Sequence, residues 1–312
     1  MKKDFLTLRD FDGETLKNIV KLAIRFKNDR PTFGSDILKN KTVALLFEKS
    51  STRTRVSFEV GVYEMGGYPL FLSKNDIQLG RGETIEDTAR TLSRYVHMIM
   101  IRTFEHTKAE ALAKYSSVPV INGLTDEFHP CQVMADMMTI FEKFGTYNVK
   151  MAYIGDGNNM AHSLMLGAAK FGLNFSIATP KGYEPDKDIY LHAKSIAEKN
   201  GTEICLCNDP FEAVRGADII YTDVWTSMGM EAENEIRLKA FKDYQVSEKL
   251  LKSTGKDTYF MHCLPAHRGE EVTDDVIESK QSIVFDQAEN RLHAQKAIMA
   301  YLIKNGEIGG LL

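Results

Sequence analysis

Short apolar runs that read as buried strands alternate with amphipathic segments along almost the whole chain, and this alternation restricts the fold more than any other feature. The strand-like runs are residues 43–47, 69–72, 97–101, 118–121, 149–154, 175–179, 203–206, 219–222, 259–262 and 283–285. Helix-period segments cover 13–28, 52–65, 84–95, 108–115, 132–144, 160–171, 186–199 and 288–304. Strand and helix in alternation imply mainly parallel sheets with helices on both faces. At 312 residues the chain exceeds one typical core, so two such α/β domains are expected. A long helix ends and a new strand begins around Gly145-Thr146-Tyr147-Asn148. We therefore expect domains at 1–147 and 148–287, with the last helical segment, 288–312, packing back on the first.

The polar residues gather directly after the strands. Ser51-Thr52-Arg53-Thr54-Arg55 follows the first run, and Arg102 ends the run Met98-Ile99-Met100-Ile101. Gly155-Asp156-Gly157-Asn158-Asn159, Asp223 and His262-Cys263-Leu264-Pro265 also follow strands. In open parallel sheets, ligands bind beyond the strand C-termini, so an active site in a cleft between the two domains is expected. Residues 51–55 open a helix, whose free backbone N–H groups and dipole suit an anion, and guanidinium adds paired donors matched to phosphate. A phosphate or phosphorylated substrate is the sharp reading; a cap followed by solvated charge is the bland one. Arg102 reads either as an arginine reaching solvent or as a clamp on a phosphate or carbonyl.

His129-Pro130-Cys131-Gln132 opens another helix. His129 and Gln132 lie three apart and can face one ligand. The helix dipole disfavours a proton on His129, leaving a neutral imidazole that donates one hydrogen bond. The glycines at 155 and 157 resemble a dinucleotide fingerprint, but the next strand ends Ile177-Ala178-Thr179-Pro180 without the acid that would bind a ribose. They fit a tight turn, leaving Asn159 for a polar or carboxylate group. Asp223-Val224-Trp225-Thr226-Ser227-Met228-Gly229 reads as an ordinary surface loop with an aromatic anchor, or as a lid in which Asp223 pairs a substrate ammonium. Cys263 beside His262 suggests a nucleophile, yet adjacent strand residues point opposite ways, so Cys263 reads better as a polar contact.

The net charge of −4 gives no pull toward nucleic acid or an anionic membrane. No apolar run is long enough to span a bilayer, and the first residues lack the features of a signal peptide, so a cytoplasmic protein is expected. The four cysteines form no metal-ligand spacing and no disulfide framework.

In this order, Ser-Thr-Arg-Thr-Arg, His-Pro-Cys-Gln, Asp-Val-Trp-Thr-Ser-Met-Gly and His-Cys-Leu-Pro resemble the aspartate/ornithine carbamoyltransferase family over nearly the whole chain. The first two motifs match the wider family; Asp223, Ser227-Met228-Gly229 and Cys263-Leu264 point to ornithine. The resemblance implies a carbamoyl phosphate-binding first domain and an ornithine-binding second one, with no metal or organic cofactor. It implies that Ser51, Thr52, Arg53 and Thr54 hold the phosphate, that Arg102, His129 and Thr54 surround the carbonyl oxygen, and that Gln132 meets the carbamoyl nitrogen. Cys263, Leu264 and Arg291 complete that set. Asn159, Asp223, Ser227 and Met228 are implied for ornithine. Asp76-Ile77-Gln78-Leu79-Gly80 matches a loop whose residue at Gln78 reaches carbamoyl phosphate in the adjacent subunit, implying a homotrimer or a multiple of trimers with shared active sites. The rivals are a carbamoyltransferase for putrescine or another amine, a nucleotide-dependent oxidoreductase, and a catalytically silent scaffold of the same fold.

Overall fold

Two parallel sheets organise the chain, in a computed structural model that describes residues 2–75, 82–227 and 231–312. The elements run α1 (Gly13–Asn28), β1 (Thr42–Phe47), α2 (Thr52–Glu64), β2 (Tyr68–Ser73), α3 (Ile85–Leu92), β3 (Met98–Arg102), α4 (His106–Tyr115), β4 (Val120–Leu124) and α5 (Pro130–Phe144). Then come β5 (Lys150–Ile154), α6 (Asn159–Phe171), β6 (Asn174–Ala178), α7 (Lys187–Lys199), β7 (Ile204–Cys207), α8 (Pro210–Val214), β8 (Ile219–Thr222), α9 (Asn234–Ala240), α10 (Glu248–Lys252), β9 (Tyr259–His262), α11 (Asp274–Ile277) and α12 (Val284–Ile303). The chain divides into two compact units, 1–138 with 289–312, and 139–288. It passes from one to the other within α5 and returns within α12.

The first sheet has strand order β2-β1-β3-β4 and the second β7-β6-β5-β8-β9, with every pairing parallel. Strand order reverses between β1 and β3 in one and between β5 and β8 in the other. Such reversals leave a crevice at the strand C-termini because neighbouring connections depart to opposite faces. Residues 51–55 and Arg102 lie at the first reversal, and residues 155–159 and Asp223 at the second. The register pairs Phe47 with Arg102, so Arg102 emerges level with the turn into α2.

The strands are apolar because helices cover both faces. Ala44, Leu46, Ile99, Ile101 and Val120 pack under α3 and α4 with Ala89, Ala109 and Leu112. In the second unit Ala152, Ile154, Ile220 and Phe260 pack with Trp225 and Phe241. Trp225 is therefore a core residue stacked on Phe241 at 5.8 Å, and not an anchor on a surface loop.

Three expectations needed correction. Residues 283–285 are not a strand: Ser282 makes a single bridge to Phe260 and α12 begins at Val284. A three-residue apolar run carries no period, and here it is the buried start of a helix. The fourth strand lies two to three residues later than its apolar run suggested. Helices α8 to α11, seven residues or fewer, are too short to show periodicity.

Within the first unit, α12 is clamped to α2 by a buried charge. Lys296, fully buried, donates to Glu64 Oε2 at 2.9 Å, and Arg30 reaches Glu64 Oε1 at 2.7 Å. Burial alone would raise the Glu64 carboxyl, but the bonds from Lys296 and Arg30 hold it below its ordinary value. Its stabilising share is thus whole above the unfolded value of 4.5 and is lost as acid titrates it through the lower native one. Glu64→Ala strands the Lys296 ammonium in the core, and we expect a loss of about 3–5 kcal/mol, read from urea unfolding midpoints.

Candidate functional site

In the first unit a group of cations surrounds one hydroxyl. Ser51 is the N-cap of α2, and its Oγ accepts from Thr54 N–H at 3.2 Å, which fixes the first turn. Thr54 Oγ1 accepts from Arg291 Nη2 at 3.2 Å and, at a long 3.4 Å, from Arg102 Nη1. Arg102 arrives from the end of β3 and Arg291 from α12. Arg291 Nη1 also donates to Gln132 Oε1 at 2.8 Å, and Gln132 Nε2 donates to Asp136 Oδ1 at 2.9 Å. Thr54, Arg102, His129, Gln132 and Arg291 are all buried, while Ser51 and Arg53 are half-buried and Thr52 is exposed. Arg55 turns to other work: it pairs with Glu59 at 3.0 Å and lies over the Phe71 ring.

Burial, then Arg291, Arg102 and Arg53 in turn, holds His129 well below its ordinary value. The imidazole is neutral, as the helix dipole suggested, though desolvation and three guanidiniums are the causes here. Below pH 6.5 the unfolded chain takes up a proton that native His129 refuses. The stability owed to this group is therefore complete above 6.5 and erodes as pH falls toward the lowered native value, by up to ~1.4 kcal/mol per pH unit. Calorimetric melting between pH 8 and 5 is expected to fall less steeply for His129→Gln than for the wild type.

The second unit presents a different chemistry. Asp223 directly follows β8, buried, and its Oδ1 accepts from Val224 N–H at 2.8 Å and from the Cys263 thiol at 3.0 Å. Its Oδ2 accepts from Asn158 Nδ2 at 3.0 Å. Asn158 is also the N-cap of α6, accepting from the N–H groups of Met160 and Ala161. One amide thus ties the α6 start to Asp223, and Asn159 occupies the first helical position beside it. Gly157 has a distinct reason: a Cβ there would lie 2.2 Å from Pro185 N, and Gly157 N–H donates to Tyr183 O. The chain's own backbone occupies the approach that a dinucleotide diphosphate would need, which argues against the oxidoreductase reading.

His262 does not activate Cys263. Its Nδ1 accepts from Leu264 N–H at 2.9 Å, so Nε2 carries the hydrogen and faces Glu271 Oε1 at 3.0 Å, both side chains fully buried. This bond secures Leu264, whose φ of +57° is a left-handed conformation unusual for a branched side chain. Asp223, His262 and Cys263 lie close enough to share an ion, as do His267, Glu270 and Glu271. In the first group both ring nitrogens of His262 are already committed, so the set lacks an imidazole lone pair for a metal.

Asp156 and Arg237 also shape this region. Arg237 Nη1 donates to Asp156 Oδ2 at 2.9 Å and to Trp225 O at 2.8 Å. Burial lifts the Asp156 carboxyl to about 6 against the pull of Arg237. Asp136 and Arg237 were not singled out by sequence, and Asn158, His262 and Glu271 carried no role there. Each acts by holding another residue, and only the tertiary structure shows the partner. Ser227 is half-buried after β8. Gln78 and Met228 lie outside the described residues.

Residues 3–142 match the model of the aspartate/ornithine carbamoyltransferase carbamoyl-P binding domain, and residues 147–302 match that of the Asp/Orn binding domain. The ornithine carbamoyltransferase of Anoxybacillus flavithermus is 55% identical over 303 residues, covering 96% of each chain. The solved structure of the Pyrococcus furiosus ornithine carbamoyltransferase is 54% identical and superposes with a TM-score of 0.93, covering 98% of both chains. That of the anabolic ornithine carbamoyltransferase from Campylobacter jejuni is 40% identical with a TM-score of 0.92, covering 97% of this chain and 99% of that one.

Proposed function

Because the chain belongs to the aspartate/ornithine carbamoyltransferase family, we propose that it transfers the carbamoyl group of carbamoyl phosphate to the side-chain amine of L-ornithine, giving L-citrulline and phosphate. The observation that carries this reading is the meeting of Arg102 and Arg291 on Thr54 at the N-terminus of α2. Cations from two distant parts of the chain converge there with helix amides, a setting made for a small dianion.

In this reading Ser51, Thr52, Arg53, Thr54 and Arg291 hold the phosphate. Arg102, Thr54 and the neutral imidazole of His129 donate to the carbonyl oxygen, which becomes an oxyanion as the amine adds. Fixed donors aimed at that oxygen need little reorganisation, so they act chiefly on the transition state. The amine must be neutral to attack, whereas a free alkyl ammonium has a pKa of about 10.4. Bound phosphate can accept the proton as it leaves. No covalent intermediate is needed, and Cys263, bonded to Asp223, serves as a polar contact together with Leu264. Asp223 attracts the ornithine ammonium, and Asn159, Ser227 and Met228 orient the amino-acid end.

We further propose a cytoplasmic homotrimer, or a multiple of trimers, in which Gln78 reaches carbamoyl phosphate bound by a neighbouring subunit. None of the helices among the described residues is long and apolar enough to cross a membrane. Citrulline and phosphate release, assayed with ornithine, putrescine and aspartate in turn, tests the function. Only ornithine is expected to support turnover at substantial rate. Comparable rates with putrescine would overturn the ornithine assignment, and silence with all three would favour a scaffold.

A further inference from the structure

Asp136 lies in the middle of α5 among Met134, Ala135, Met137 and Met138, all fully buried, and is itself fully buried. A carboxylate inside an apolar helix is costly and calls for a reason. It sits one turn after Gln132, on the same helix face, and accepts from Gln132 Nε2 at 2.9 Å. On the other side of the same amide, Arg291 Nη1 donates to Gln132 Oε1 at 2.8 Å. A glutamine amide has two nearly isosteric ends, one donating and one accepting. A carboxylate only accepts and a guanidinium only donates, so together they permit one orientation. Turned over, the amide would face N–H to N–H at Arg291 and oxygen to oxygen at Asp136.

We propose that Asp136 is a specificity-determining positioning residue: by holding the Nε2 end of Gln132, it presents the Oε1 acceptor to the anion site. Oε1 has a second lone pair beyond the one Arg291 uses. An acceptor fixed there favours a phosphorylated acyl group that brings an N–H donor, such as carbamoyl, over one of the same size that brings a methyl, such as acetyl. A site built to hydrogen-bond a donor discriminates against the analogue lacking it, because the buried acceptor is then left unpaired. This rests on the carbamoyltransferase reading, and deepens it by assigning the choice of acyl phosphate to a residue that does not touch the substrate.

The test is Asp136→Asn, near-isosteric, whose amide can accept from or donate to Gln132 and so releases the orientation. Binding of carbamoyl phosphate, acetyl phosphate and inorganic phosphate is measured by calorimetry on the intact enzyme, without ornithine. The wild type is expected to prefer carbamoyl to acetyl phosphate. In Asp136→Asn that preference should shrink about tenfold, while inorganic phosphate affinity stays within twofold. A parallel loss for all three ligands would make Asp136 a packing residue, and an unchanged preference would remove its role; either overturns the proposal. If Asp136→Asn does not fold, the same preference is measured in Gln132→Met, which keeps the carboxylate. There it should collapse equally, and preservation overturns the proposal. Where both variants fold, Asp136→Asn is expected to add nothing in the Gln132→Met background, whereas a packing effect would add in full. Wild-type citrulline formation is scored separately, so failure of the transferase reading is distinguishable from failure of Asp136.

Discussion

Replacing Arg102 by leucine is expected to lower kcat by about 10²–10³, the usual cost of removing one preorganised oxyanion donor. The KM for carbamoyl phosphate should change much less, since in the proposed reading Arg53, Arg291 and the α2 amides still hold the phosphate. Stability should move the other way. Arg102 and Arg291 both donate into Thr54 Oγ1, and with Arg53 all three charges bear on His129. Like charges gathered in a buried site repel, so a neutral side chain of similar volume relieves the fold. The melting temperature of Arg102→Leu without substrate is expected to equal or exceed that of the wild type. Inorganic phosphate should raise the wild-type value further than the variant's, because binding to the native state alone adds stability. A variant with normal kcat and only a raised KM would sink the oxyanion role.

Asp223→Ala is expected to cut kcat/KM for ornithine by about 10²–10³, in line with removing a buried, hydrogen-bonded charge from a recognition site. The carboxylate collects donors from three chain segments: Val224 N–H, Asn158 Nδ2 and the Cys263 thiol. Alanine removes the charge for the substrate and leaves those donors without their acceptor. Asp223→Asn separates the two effects, since it keeps the shape and an acceptor oxygen but no charge. If charge pairing dominates, asparagine loses nearly as much as alanine. Phosphate affinity should stay within twofold in both, because the arginine cluster belongs to the other unit. A large loss of phosphate binding would show that Asp223 supports the fold more than the amine.

The parallel sheets were legible because every strand but the edge strands β2 and β7 is largely buried and so reads as an apolar run. Residues 283–285 show the limit of that signal. Ile283, Val284 and Phe285 look like any short strand, and only the helix beyond them decides the matter. Ser51, Arg53, Thr54 and Arg102 were legible because they lie at strand ends, where the topology gathers ligand-binding residues. Arg55 belonged to the same run, yet helix geometry turns it toward Glu59 and Phe71. Arg291 sits mid-helix in α12, with no local signal, and was legible only through family resemblance. Asp136, Asn158 and His262 gain meaning from partners on other turns or strands, which composition and spacing do not record.

The return of α12 to the first unit sets an order of assembly during translation. Residues 139–288 form one continuous stretch and can condense while the ribosome is still at work. The first unit must wait, since Arg291 and Lys296 are made only after the whole of residues 139–288. Until then Glu64 lacks its lysine and Thr54 one of its two guanidiniums. The nascent chain therefore acquires the Arg291–Thr54 contact only after the second unit has been made, and a message cut short before codon 291 would yield a polypeptide without it.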